Sequence, residues 1–417
     1  MTSTHTSGEA VFEQRTRAVL DELESNGQYK HLQMIEGPMG PSIDIRDMGT
    51  VDCFCSNNYL GLANHPEVVD AGIEALKKWG AGTASVRFIC GTFTAHEHLE
   101  NQIASFLGTE ASYTFVSCWT ATEAFFATVC EPGDVIVSDA LNHACIIDAM
   151  RLTTVIKKGV HKAVYKHSDM EHCREVLVKA RETAGDTGVI WLVTDGVFSM
   201  EGDLGNLPGL RNLCDEFGAL LVVDDSHGTG VMGETGRGTH EYWGMDPSQI
   251  DVFTGTLGKA LGGGAGGYLA GTKTAMEMIV QRARPTLFSN ALPCTVAASA
   301  AKAIEVVDRE PDRVAKLRNN VERARAGIRD AGFEVLDSPT AICPIIVHDT
   351  ARAIAMSKRL LELGSFAIGF GYPVVPEGEA RIRVQISAAH EDEHIDRLVK
   401  NLVQLKSEFV DCPNAAS

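Results

Sequence analysis

Apolar positions along the chain follow two alternating rhythms. Short unbroken apolar runs at 113–116, 135–137, 163–165, 189–193, 219–223 and 252–254 read as buried strands. Between them, apolar residues recur every three to four positions at 97–107, from 120 onward, and at 170–183, 207–217 and 273–284, which predicts amphipathic helices. Strand and helix in strict alternation predict an α/β fold, with a mainly parallel central sheet flanked by helices. A further strand is expected at 266–271, straight after the last apolar run. Upstream, Val11, Phe12, Ala18, Leu20 and Leu23 mark a helix at 10–27, Ile43–Phe54 alternates like short strands, and a helix is expected at 65–79. Downstream, two long helices flank Glu310-Pro311, followed by a strand at 342–347, a helix at 350–363, a strand at 381–385 and a helix at 391–409. The expected division is an N-terminal arm with short strands (1–60), a large cofactor-binding domain (61–295) and a smaller α+β C-terminal domain (296–417).

The residues just beyond the strands carry the chemistry. The run at 189–193 leads into TDGVFSMEGD with Ser199, the run at 219–223 ends in Asp224, Asp225 and then His227, and the run at 252–254 opens into a Gly-rich loop around Lys259. Ligands of open parallel sheets sit outside the carboxyl ends of the strands, so these three ends converge on one crevice. Lys259 has two readings: a solvated lysine in a flexible turn, or a desolvated amine that attacks carbonyls. The second suits pyridoxal phosphate, which needs a carboxylate opposite its ring nitrogen, and Asp224 meets that demand. Asp225, its neighbour in the strand, points to the other face and is expected to be structural. Where the run at 113–116 meets the next helix, the amides of Cys118 and Trp119 either form an ordinary turn or cradle an anion. The GGGAGG segment is a poor dinucleotide loop, because it lies late in the chain and runs into a strand instead of opening a helix.

Charge and composition narrow the class. The 417 residues include 37 basic and 55 acidic side chains, a net charge of −18, which argues against nucleic acid and anionic membrane surfaces as partners. No apolar run approaches the roughly 18 residues of a membrane span. The start, MTSTHTSGEA, lacks the basic and apolar regions of a signal peptide. Eleven cysteines without a regular framework predict free thiols and a reducing cytoplasm. The pairs Cys53/Cys55 and His96/His98 have no partner cluster at metal-binding spacing, so no metal site is expected.

The stretches NNYLGLANHPE (57–67), SVRFICGT (85–92), SDALNHACIID (138–148), TDGVFSM (194–200), VDDSHGTG (223–230), TGTLGKALGG (254–263) and YPVVPEGEARIRVQISAAH (372–390) occur in one order. From about Asp52 to the C-terminal helix they resemble the α-oxoamine synthases, fold-type-I pyridoxal phosphate enzymes. The resemblance implies that Lys259 holds the cofactor covalently and acts as the base, that Asp224 pairs with the ring nitrogen, and that His143 stacks on the ring. It implies that His227 and Ser199 reach the phenolic oxygen or the substrate. Thr256 and the amides of Cys118 and Trp119 are expected at the phosphate, with Ser289 reaching the phosphate of the other subunit. Asn57 and Arg383, with His143 and Ser199, are expected to bind the amino acid, Arg381 being the weaker candidate for its carboxylate. The implied assembly is a homodimer with shared sites, the N-terminal helix packing on the partner. The implied reaction joins glycine to acetyl-CoA, giving an α-amino-β-keto acid and CoA. Alternatives are a sister synthase using alanine, serine or glycine with a longer acyl-CoA, and another fold-type-I activity such as an aminotransferase or aldolase. Cys118–Ala124 and Gly371 depart from the family pattern. Gly371 stands where relatives using pimeloyl-CoA carry an arginine, and is expected to open space for a longer acyl chain.

Overall fold

The computed structural model describes residues 7–372 and 374–409. An N-terminal helix α1 (Gly8–Ser25) precedes a hairpin of β1 (Ser42–Ile45) and β2 (Gly49–Cys53), then α2 (Pro66–Trp79) and α3 (Thr94–Leu107). The large domain continues as β3 (Ala111–Phe115), α4 (Cys118–Val129), β4 (Val135–Asp139), α5 (Ala144–Ile156), β5 (His161–Tyr165), α6 (Met170–Ala184), β6 (Ile190–Asp195), α7 (Leu207–Phe217) and β7 (Ala219–Asp224). After these come α8 (Thr239–Tyr242), β8 (Val252–Thr256), β9 (Gly267–Gly271), α9 (Lys273–Arg282), α10 (Arg284–Phe288) and α11 (Cys294–Arg309). The C-terminal part is α12 (Pro311–Asp330), β10 (Ile342–His348), α13 (Thr350–Glu362), β11 (Ser365–Phe366), β12 (Ile368–Phe370), β13 (Ala380–Gln385) and α14 (Asp392–Phe409).

The central sheet has seven strands in the order β3-β9-β8-β7-β6-β4-β5. All pairings are parallel except those of β9, which runs antiparallel to both β3 and β8. Loop length explains the exception: 257–266 is too short for the crossover of a dozen or more residues that a parallel neighbour needs. Strands β4 and β6 are buried along their whole length, as their continuous apolar sequences require when helices cover both faces. The predicted helix at 273–284 is interrupted. Ala283 takes an extended backbone and Pro285 sits in the first turn of the new helix α10, where its missing N–H costs nothing.

The smaller domain is an antiparallel sheet, β10-β13-β12, packed on α13, with α12 against β10 and α14 against α12 and α13. Strand β11 pairs in parallel with β2 and so ties this domain to the N-terminal strands. Arg397 of α14 reinforces that seam, donating twice, at 2.7 and 2.9 Å, to the buried Asp52. Helix α1 is different from the other long helices, since none of its side chains is buried.

Candidate active site

Strand ends position the site. Lys259 on the β8–β9 loop, Asp224 at the end of β7, Asp195 at the end of β6, His143 at the cap of α5, and Ser117, Cys118 and Trp119 at the start of α4 line one cavity of about 250 Å³. Cys145, Val197, Ser226, His227 and Thr256 complete its wall. The start of α4 reaches the lysine loop because Gly267 has no side chain: a Cβ there would lie 2.2 Å from the Cys118 nitrogen. Ser117 caps α4 by accepting from the Thr120 amide at 3.1 Å, which leaves the amides of Cys118 and Trp119 in the first turn without intrahelical acceptors.

Burial lowers the affinity of Lys259 for its proton, and the nearby Asp224, Cys118 and Asp195 only partly offset this. Asp224 accepts from the Ser226 amide at 3.0 Å and from the Cys118 thiol at 3.5 Å. That thiol stays protonated, pushed up by burial and by Asp224 itself. His143 is kept neutral mainly by burial, and its ring stands edge-on to Trp119 at 6.1 Å. Asp225 points away, as strand alternation demands. It accepts from the hydroxyls of Thr229 at 3.0 Å and Thr239 at 2.7 Å, and burial raises it to about 6.

His227 is held by a residue that sequence reasoning missed. The Tyr59 hydroxyl lies 2.8 Å from His227 Nδ1 and 2.8 Å from Gln385 Nε2. Gln385 donates to the hydroxyl, which also lies 3.4 Å from Asn57 Oδ1, so the Tyr59–His227 hydrogen bond runs in either direction according to the tautomer of the imidazole. Burial, with Lys259 and Arg383 nearby, pushes His227 well below its usual range and keeps the ring neutral. Gln385 also donates to Asn57 Oδ1 at 2.6 Å, joining Asn57 to the same network. Tyr59 and Gln385 lie inside the stretches 57–67 and 372–390, but nothing in those stretches marks their contact with each other or with His227, because these partners are remote in sequence.

The two arginines of β13 are unlike. Arg381 is buried and neutralised by Glu201 at 3.2 Å and Glu379 at 3.1 Å. Among the described residues Arg383 has only neutral acceptors, the Ser199 carbonyl at 3.0 Å and Gln385 Oε1 at 3.3 Å, and its guanidinium lies 5.0 Å from the centre of the Phe370 ring. Burial pushes it down from its usual range. A largely desolvated cation without a carboxylate is costly, and such a group suits an anionic ligand.

Not every expected residue lies on the cavity wall. Asn57, Arg383 and Ser199 flank it through the contacts above, whereas Ser289 lines a separate cleft with Arg87, Thr120 and Asn290. The expectation for Gly371 is overturned. A Cβ there would meet the Thr350 side chain at 2.3 Å, so the residue is glycine to admit helix α13 and opens no space for an acyl chain. One trio of potential metal ligands, His65, Glu67 and Glu310, has donor atoms within 4.8 Å, but Arg309 already pairs with both carboxylates.

The family described as aminotransferase class I and II matches residues 53–402. A 2-amino-3-ketobutyrate coenzyme A ligase of Salmonella typhimurium is 43% identical over 380 residues, covering 91% of this chain and 94% of that protein. The chain belongs to the α-oxoamine synthases. An 8-amino-7-oxononanoate synthase of Thermoanaerobacter pseudethanolicus, 42% identical over 381 residues, covers 91% of the chain and 94% of that protein. A solved structure of SPT with PLP superposes with a TM-score of 0.88 at 26% identity, covering 96% of this chain and 99% of that one. As an α-oxoamine synthase the protein uses pyridoxal 5'-phosphate. The cavity fits that group: a desolvated amine faces a carboxylate, helix amides are free for a phosphate, and the buried Asp195 Oδ1 has no partner of its own.

Proposed function

We propose that the protein condenses glycine with acetyl-CoA, giving 2-amino-3-ketobutyrate and CoA, and runs the same reaction in reverse. The observation that carries this reading is the lysine cavity flanked by an arginine that has no carboxylate partner among the described residues. It combines a base at the reacting carbon with an anchor for an amino acid.

Pyridoxal phosphate supplies a ring that takes up the electron pair left when a bond to the amino acid's Cα breaks. Lys259 would hold it covalently, Asp224 would hold a proton at its ring nitrogen, His143 would lie against its face, and Ser199 would bond its phenolic oxygen. Thr256 and the amides of Cys118 and Trp119 would hold the phosphate, joined by Ser289 of a second subunit. The desolvated Lys259 amine is suited to take the α proton of the amino acid, because its lowered pKa leaves more of it uncharged. Arg383, with Asn57 joined to it through Gln385, binds the substrate carboxylate. His227, held at Nδ1 by Tyr59, would in its Nε2–H tautomer donate to the thioester carbonyl and stabilise the negative charge that develops on its oxygen.

The relatives support this activity, a ligase matching at 43% identity, and a sister synthase follows at 42%. The acyl side favours the small substrate. Gly371 packs on Thr350, offering neither a cation for a second acyl carboxylate nor room for a longer chain. We further place the protein in the cytoplasm as a homodimer. All cysteines among the described residues are free thiols, and helix α1 has no buried face until something covers it. No helix among the described residues is long and apolar enough to cross a membrane.

A grid of amino acids against acyl-CoAs, read by release of free thiol, tests the assignment. Glycine with acetyl-CoA is expected to be fastest. A preference for alanine or serine, or for a longer acyl group, moves the activity to a sister synthase.

A further inference from the structure

Beyond the end of β6, residues 197–204 form a tight hairpin. Val197 and Leu204 bridge, Phe198 N–H donates to the Asp203 carbonyl at 3.0 Å, and Gly202 N–H donates to the Phe198 carbonyl at 2.8 Å. The tip of the hairpin reaches into the smaller domain. There the Ser199 carbonyl accepts from Arg383 at 3.0 Å and the Met200 carbonyl from Arg381 at 3.0 Å, while the hydroxyls of Ser338 and Thr340 both donate to the Gly202 carbonyl. The direction of Arg383 therefore depends on where this hairpin lies.

The base of the hairpin is held by a group that the catalytic reading does not use. His167, between β5 and α6, places Nε2 at 2.9 Å from Asp203 Oδ2 and Nδ1 at 3.0 Å from Asp139 Oδ1. Its ring packs edge-on to Phe198 at 4.4 Å. Asp139 is itself fixed by the amides of Leu141 at 2.9 Å and Ser168 at 3.0 Å. Two carboxylates facing the two ring nitrogens require both to be donors, which makes the ring an imidazolium. Burial alone would push it down, and the two carboxylates outweigh burial, holding it up at about 10. Other titratable groups around this cluster are Glu201, Tyr165, Cys173, Asp169 and Asp195.

We propose that His167 is a positioning residue for substrate binding: as a cation clamped between Asp139 and Asp203, it sets the hairpin 197–204 and so aims Arg383 at the amino-acid carboxylate. This rests on the assignment of Arg383 made above. The charge matters more than the ring, because a neutral side chain can satisfy one carboxylate by hydrogen bonding but leaves the second without a counter-charge.

Steady-state kinetics of cofactor-loaded wild type, His167→Gln, His167→Lys and Arg383→Gln tests it, with whichever amino acid the wild type turns over fastest. His167→Gln is expected to raise KM for the amino acid about tenfold while KM for the acyl-CoA and kcat stay within about twofold, the size expected when one charge-assisted contact is misaimed. His167→Lys keeps a cation at the clamp and is expected to restore most of the amino-acid affinity. Equal amino-acid KM values in the Gln and Lys variants, or parallel changes in both substrates' KM with a lowered thermal midpoint, would reduce His167 to a packing residue and overturn the proposal. If Arg383→Gln leaves the amino-acid KM unchanged, the carboxylate assignment falls and the clamp with it. If Arg383→Gln raises that KM and His167→Gln does not, the clamp alone falls. Asp203→Asn, which keeps the ring and removes one charge, must show the same selective KM change, and provides the test if His167→Gln does not fold.

Discussion

Arg383 and Asp224 show how differently two charged residues can be used in one site. Asp224 is supplied with donors on its own side, the Ser226 amide and the Cys118 thiol, and keeps its remaining capacity for the cavity. Replacing it with Asn would remove the charge proposed to hold a proton on the cofactor's ring nitrogen. We expect kcat to fall by about two orders of magnitude or more, with the fold retained, as measured by turnover beside thermal unfolding. Arg383 has no carboxylate among the described residues, and Arg383→Gln is expected to raise the amino-acid KM about a hundredfold, the effect of deleting one partner of a buried charge pair. At this scale the sequence was informative where a residue ended a strand. Lys259, Asp224 and His227 sit on the wall of the cavity that the strand ends predicted, Ser199 only flanks it, and His143, singled out by the family resemblance alone, joins them. Tyr59, Gln385 and Asp195 were not legible, because their importance comes from contacts between distant segments. Gly371 was misread for the same reason: the Thr350 that fills its neighbourhood belongs to another element.

Among the elements, strands with continuous apolar runs and helices with clear periodicity were found close to their expected positions. The very short strands β11 and β12 and the π-helical turn at Arg87–Gly91 carry too few residues to show a period. The antiparallel direction of β9 was available in principle from loop length, since 257–266 has no room for a crossover helix. The hairpin 197–204 makes a prediction that belongs to this scale. His167 has its folded-state pKa raised from about 6.5 to about 10, so the stability it contributes is fully present below about pH 6.5 and is lost as the pH rises through about 10. Thermal midpoints of wild type and His167→Gln should accordingly differ most below about pH 6.5 and converge near pH 10. A gap that is constant across this range would mean that the charge contributes nothing.

For the whole molecule, the proposed dimer would cover apolar surface that the single chain leaves exposed. Phe288, Ile89 and Phe88, on α10 and the π-helical turn packed against it, are 72%, 69% and 60% exposed, beside the cleft that holds Ser289. Charge at this face, as in Ile89→Glu with Phe288→Glu, is expected to weaken dimerisation at least about tenfold in sedimentation equilibrium and to reduce activity in proportion to the monomer formed. A doubly substituted monomer that kept full turnover would show that each chain is complete alone. The mainly parallel sheet with helices on both faces was legible in the alternation of apolar runs, whereas the order of its strands and the fit of one chain to another leave no such periodic signal. Condensation at Lys259 is the central claim. Its most direct test is thiol release from acetyl-CoA with glycine as the sole amino acid, measured for wild type and Lys259→Ala side by side. The wild type should release CoA in step with amino-keto-acid formation, and the variant should be slower by at least about a thousandfold while remaining folded. Comparable rates in the two proteins, or no release by the wild type with glycine, would contradict the account.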